Sequence, residues 1–242
     1  MISHYLKKIN DLLECIETEE KTVMCEAAQK VADAIQAGGI VHLFGCGHSH
    51  ILTEEVYYRA GGLVPIHPIL HEPLMLHEGA VKSSELERKN NYASTFMDAE
   101  DIREGDIMIV ISTSGRNPVP VDAAHIAKKK GAYVIGITSI AYSSSQPSRH
   151  TSGEHLYDAV DLVINNHAPV GDALLSHEKV KVSFTPSSTV IGSAILNAIF
   201  AEAIEKMAEN NFDPPIFLSG NIEGADGHNQ QLIEKYRKRV KL

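Results

Sequence analysis

DIMIVISTSGRNP, residues 106–118, is an apolar run that stops abruptly in a loop of hydroxyls, a glycine and a proline. Asp106 to Ile111 shows no polar alternation, the pattern of a strand buried on both faces of a parallel sheet. Pro118 suits the first turn of a helix, where the amide it lacks has no partner to lose. Ser112 to Asn117 is therefore a strand-to-helix turn in which three hydroxyls and a side-chain amide converge. One cap needs one oxygen. With Gly115 holding the turn open, the surplus points to a phosphate seated on the loop.

The same alternation of apolar runs and helical periods extends in both directions. Ile40 to Phe44, Leu63 to Leu70, Ala132 to Ile137 and Asp161 to Ile164 read as four more strands, while Thr53 to Ala60, Ser84 to Met97, Val119 to Lys130 and Ser188 to Glu209 have helical spacing. Strand and helix in turn give a doubly wound three-layer α/β/α sandwich on a five-stranded parallel sheet. In the common strand order 2-1-3-4-5 the first and third strands are neighbours, so the loop Gly45-Cys46-Gly47-His48-Ser49 would face Ser112 to Asn117 across a crevice. That first loop has a backbone suited to anions. It lacks the third glycine of a dinucleotide fingerprint, which would fall at His50, and no GKS or GKT phosphate loop is present.

Before the first strand, Ile2, Tyr5, Leu6, Ile9, Leu12, Leu13 and Ile16 recur at helical spacing, and Val23, Met24, Ala27, Val31, Ala34 and Ile35 continue the stripe to Gly38 and Gly39. Residues 1–37 are thus expected to form a helical arm suited to contact with another subunit, and 38–242 the body of one domain. No internal repeat or linker divides it.

The chain has 242 residues, 43% of them hydrophobic, and a formal net charge of −9. A core of good size follows, and nucleic acid is an unfavourable partner for such a charge. Lys235, Arg237, Lys238, Arg239 and Lys241 read as the solvated end of a terminal helix. Cys15, Cys25 and Cys46 are odd in number with no CxxC spacing, which implies neither a disulfide framework nor a cysteine zinc site. The first twenty residues lack the apolar stretch of a signal peptide, and no apolar run approaches the ~20 residues of a membrane span. A cytoplasmic protein without membrane attachment is expected.

FGCGHS, ISTSGRNP and the later FTPSSTVIGSAILNAI resemble the three signature segments of the sugar isomerase (SIS) domain family, over roughly residues 38–210. The second segment is similar to those of sedoheptulose 7-phosphate isomerases and N-acetylmuramic acid 6-phosphate etherases. The resemblance implies a flavodoxin-like sandwich, a homodimer or homotetramer, and a phosphosugar held at Gly47, His48, Ser49, Ser112, Thr113, Ser114, Asn117, Ser188 and Thr189. Asn117 and His48 depart from the family, where hydroxyl residues are frequent.

Isomerising a sugar phosphate requires a group that carries a proton between neighbouring carbons. HEPLMLHE, residues 71–78, follows the second strand and offers two carboxylates and two imidazoles. Glu78 is favoured, then Glu72; solvated loop charges are the plain alternative. In several family enzymes a C-terminal segment closes over the sugar and supplies a base, which singles out His228 in SGNIEGADGHN, residues 219–229, with a helix cap as its alternative. HExxH is absent, and His48, His50, His71 and His77 fit no standard metal spacing; no metal and no cofactor are assigned. The expected activity is phosphosugar isomerisation by proton transfer, with an etherase or lyase reaction and a non-catalytic phosphosugar sensor as the alternatives.

Overall fold

The computed structural model describes all 242 residues. Five parallel strands form the central sheet: β1 (Val41–Gly45), β2 (Ile66–Pro68), β3 (Ile107–Ile111), β4 (Tyr133–Thr138) and β5 (Leu162–Asn165). Their order is β2-β1-β3-β4-β5, the expected one. Gly45 stands in register with Ile111, so the loops that follow β1 and β3 begin side by side.

Period-two alternation divides the strand side chains between two cores. Val41, Leu43, Ile107, Ile109, Ile135 and Ile137 face one layer, made of α2 (Lys21–Gln36), α3 (Ser49–Glu55) and α9 (Ser188–Glu209). Phe44, Met108, Val110 and Val134 face the other, built from α4 (Ala80–Glu87), α5 (Ser94–Met97), α6 (Pro118–Lys129) and α8 (Leu156–Ala159). Each large aliphatic side chain so removed from water contributes about 1.5–3 kcal/mol, which is why strands without polar alternation end in the centre of the sandwich.

The N-terminal stripe divides in two. α2 buries Ala27, Ala28, Val31, Ala32 and Ile35 and forms part of a helix layer, whereas α1 (Ile2–Cys15) buries only Ile9. Only that first half has the character of an arm. Between them Ile16–Glu20 forms one π-helical turn, which sets Glu20 to accept from the Asn165 amide and from His167 Nε2 at the end of β5. α9 is long and apolar enough by composition to cross a membrane, but its Ile191, Ile195, Ile199, Ala203 and Met207 are spent on the core.

Three elements differ from expectation. The helix expected over Ser84–Met97 is broken, because Asn91 takes a positive φ of 62° and its amide donates to Asp122; asparagine tolerates this conformation well. The helix expected over Thr53–Ala60 begins at Ser49 and ends at Glu55, shortly before Tyr58 turns to a φ of 44°. Residues 175–184 form an antiparallel hairpin, β6 (Leu175–His177) and β7 (Val180–Phe184), with Val180 and Val182 exposed. α7 (Ile140–Ser144) and α10 (Ala225–Tyr236) complete the chain. At its end Arg239 does not lie in solvent: it donates to Asp106 at 2.6 Å and to Asp101 at 3.2 Å.

Candidate functional site

Gly45 closes β1, and a Cβ there would come within 2.7 Å of the Ser49 backbone, so the loop folds tightly onto the start of α3. Across from it, Gly115 has a φ of 57°, and a Cβ would lie 2.6 Å from Thr138 Oγ1. The Ser112 to Asn117 turn is tied back to the loop after β4. Thr113 O accepts from the Ser139 amide at 3.0 Å, and Ser114 O accepts from Ser143 Oγ at 2.8 Å. A trans peptide directs its N–H opposite to its C=O, so the Ser114 amide points away from these anchors. The Thr113, Ser114 and Arg116 amides donate to no backbone carbonyl. They are free to meet an anion.

The hydroxyls fall into two groups. Ser49 and Ser114 are half-buried at the mouth of the crevice, while Ser112 is buried and accepts from the Gly115 amide at 3.3 Å. Thr113 Oγ1 accepts from Asn166 Nδ2 at 3.3 Å. Gly47, at a φ of 56°, donates to Leu74 O, which seats the first loop against the segment after β2. His48 is exposed beside it. Ser188 donates to Asp172 at 2.6 Å, and the Ser187 and Ser188 amides donate to the same carboxylate. The first turn of α9 is thus already occupied by a carboxylate; Thr189, next along, is half-buried.

Asn117 is not free for a ligand. Its Nδ2 donates to Glu87 Oε1 at 2.9 Å and its Oδ1 accepts from Arg149 Nη1 at 2.8 Å. Glu87, at the end of α4, lies near enough to Cys46 to raise its thiol further, after burial, which is the larger cause. One carboxylate therefore sits between the two loops. Burial raises the Glu87 carboxyl, against the lowering effects of Asn117, Arg88 and Arg149. Arg149 in turn is lowered by burial and then by the charges of Arg116 and Arg88. Arg88 and Arg149 act on the Glu87 carboxyl and Arg116 acts on Arg149, so guanidinium groups outnumber the carboxylate here, which suits a phosphate.

Glu72 and Glu78 lie on the segment that packs against the first loop, both exposed, with Glu78 3.7 Å from His77. They share the carboxyl edge of the sheet with the cradle. His228 does not. It donates Nε2–H to Ile216 O, and Ile216 pairs with Leu63 ahead of β2, on the amino side of the sheet. Within one chain it reaches no cradle residue. Glu87, Arg88 and Arg149 escaped the sequence reading because α4 and the loop at 149 carry no motif; their role depends on where the chain brings them.

The SIS domain family matches residues 4–139. This chain belongs to that family. The match covers both cradle loops and stops short of the third segment, 184–199, whose likeness rests on its own residues. The chain is also 64% identical to a UPF0309 protein of Halalkalibacterium halodurans over 100% of this chain and 97% of that one. Among solved structures, a phosphoheptose isomerase from Francisella tularensis superposes with a TM-score of 0.52 at 16% identity, over 84% of this chain and 96% of the other. A phosphoheptose isomerase from Neisseria gonorrhoeae gives 0.51 at 14%, over 86% and 96%. Identities this low speak for the shared sandwich alone, and the SIS domain's chemistry here rests on the loops.

Since burial raises the Glu87 carboxyl, the folded state holds its proton more tightly than the unfolded chain. This group's contribution to stability therefore falls as pH rises from the unfolded to the folded pKa. Glu87→Gln keeps an acceptor for Asn117 and removes the ionisation. Urea denaturation from about pH 4 to pH 8 is expected to show the variant gaining on the wild type as pH rises. A margin that stays constant across that range would contradict the assignment.

Proposed function

We propose that the chain binds a phosphorylated sugar at the carboxyl edge of β1 and β3 and isomerises it by proton transfer. The observation that carries this reading is the Glu87 carboxyl, lodged between two phosphate-suited loops and raised by burial. The phosphate sits on the Ser114 and Thr113 amides and the Ser49, Ser112 and Ser114 hydroxyls, with Arg116 and Arg149 supplying charge. A carboxyl raised by burial holds a proton more readily than a free one and, beside the sugar, can take a proton and return it. Glu87 moves the proton between the sugar's neighbouring carbons; exposed Glu78 and Glu72 stand second. Two solved proteins that share this sandwich are phosphoheptose isomerases.

Ser112→Ala with Ser114→Ala is expected to abolish the thermal shift given by a panel of sugar phosphates, a shift worth about 2.7 kcal/mol at 100 times Kd in the wild type. Glu87→Gln is expected to keep that shift and lose solvent deuterium exchange at the carbon beside the carbonyl. Binding with no exchange in the wild type would leave a sensor. Elimination of an ether substituent would indicate a lyase. An unchanged shift in the double serine variant would refute the cradle.

We further propose that α1 joins two copies of the chain. Ile2 and Leu6 are 80% and 56% exposed on it, and a groove of about 280 Å³ between the helical segment and α9 is lined by Leu13, Ile16, Met24 and Ala198. Ile2→Glu with Leu6→Glu is expected to lower the mass seen by sedimentation to that of one chain. A wild-type protein that already sediments as a monomer would overturn this.

A further inference from the structure

Away from the cradle, near the amino ends of the strands, β1 and β2 place His42 and His67 in register, so both side chains project to one face. They are 1% and 7% exposed, and their rings meet edge to face with centroids 5.3 Å apart. Each ring has one nitrogen held by a carboxylate: His42 Nε2 is 3.1 Å from Asp106 Oδ2, and His67 Nε2 is 2.9 Å from Glu100 Oε2. Asp106 also accepts from the Ile40 and Arg103 amides and from the Arg239 guanidinium, so its oxygens act only as acceptors. Ionised carboxylates only accept. Both rings therefore donate from Nε2, and in a neutral imidazole the lone pair is then on Nδ1.

His42 Nδ1 and His67 Nδ1 are the two buried side-chain polar atoms of the chain that have no hydrogen-bond partner. Imidazoles that ligate a metal characteristically donate their other N–H to a carboxylate, which fixes the tautomer and turns the free lone pair to the ion. Here that arrangement occurs twice in adjacent residues. A zinc ion about 2.0–2.1 Å from an imidazole nitrogen stands about 3.2 Å from the ring centre, so two tetrahedrally placed rings have centres about 5 Å apart. The observed spacing agrees. A cavity of about 320 Å³ leads to the pair, lined by Glu100, Asp101, Arg239 and the exposed Arg237, Lys238 and Lys241. Arg239 is committed to Asp101 and Asp106 and Arg237 to Glu234, while Lys238 and Lys241 are exposed at the cavity mouth. The only competing cluster, Cys15, Glu19 and His167, offers no free imidazole lone pair, since His167 Nδ1 faces the Asn165 amide group and Nε2 faces Glu20.

We propose that His42 and His67 bind one divalent transition-metal ion of the zinc class through their Nδ1 atoms, with Asp106 and Glu100 orienting the rings. The site ties edge strand β2 to β1 and is separate from the sugar cradle. The two histidines are brought together only by sheet register, so no sequence spacing announces them.

The test is equilibrium dialysis of the purified full chain against zinc, with bound metal counted by mass spectrometry. The wild type is expected to retain one ion per chain. His67→Gln is expected to abolish retention, and Glu100→Gln to weaken affinity about 10- to 100-fold. Exposed His4→Gln and His77→Gln serve as controls and are expected to bind as the wild type does. Circular dichroism verifies the fold; should His67→Gln fail to fold, Glu100→Gln decides. No retained zinc in the wild type, or unchanged affinity in Glu100→Gln, would overturn the proposal.

Discussion

The parallel pairing of β1 with β3 is the constraint on which the rest depends. It places Gly45 beside Ile111, and from those two residues the chain must leave the sheet at the same edge. Two strand-to-helix turns side by side present amides that no ladder can satisfy, so they must be capped, hydrated or given to a ligand. In the second turn the carbonyls of Thr113 and Ser114 are taken by the loop after β4, which directs its amides the other way. The crossovers that cover both faces of the sheet then bring α4 and the loop at Arg149 to the same crevice.

What lies between the loops accounts for the part Asn117 plays. Its amide is both donor and acceptor, and it uses one end on Glu87 and the other on Arg149. A hydroxyl would have to donate and accept at one oxygen, whereas the amide places its donor and its acceptor on separate atoms. The result is a half-buried carboxyl held in place by a side chain whose own polar atoms are both engaged. At the first turn of α9, Asp172 plays a comparable part, accepting from the Ser187 and Ser188 amides.

Sheet order and layers were legible because buried parallel strands are apolar on both faces, and IMIVI carries that pattern without interruption. Both turns were legible because glycine and hydroxyl residues accumulate there. Glu87 and Arg149 were not, since a carboxylate at a helix end looks the same whether it faces water or a crevice. His228 was attractive for its loop but is drawn to Ile216 by the bridge to Leu63. The 175–184 hairpin leaves Val180 and Val182 exposed, so it lies outside the core patterns that betray the other strands. His42 and His67 looked like parts of ordinary strands, and only the register made them neighbours.

The most direct test of the cradle is a titration of the nitrogen-15-labelled chain with a sugar phosphate, followed by amide NMR. The Thr113, Ser114, Arg116 and Ser49 amides are expected to move first and together, with the Asn117 and Arg149 side chains following. Shifts confined to Phe217 through Asn229, with the Ser112 to Asn117 turn unmoved, would contradict this.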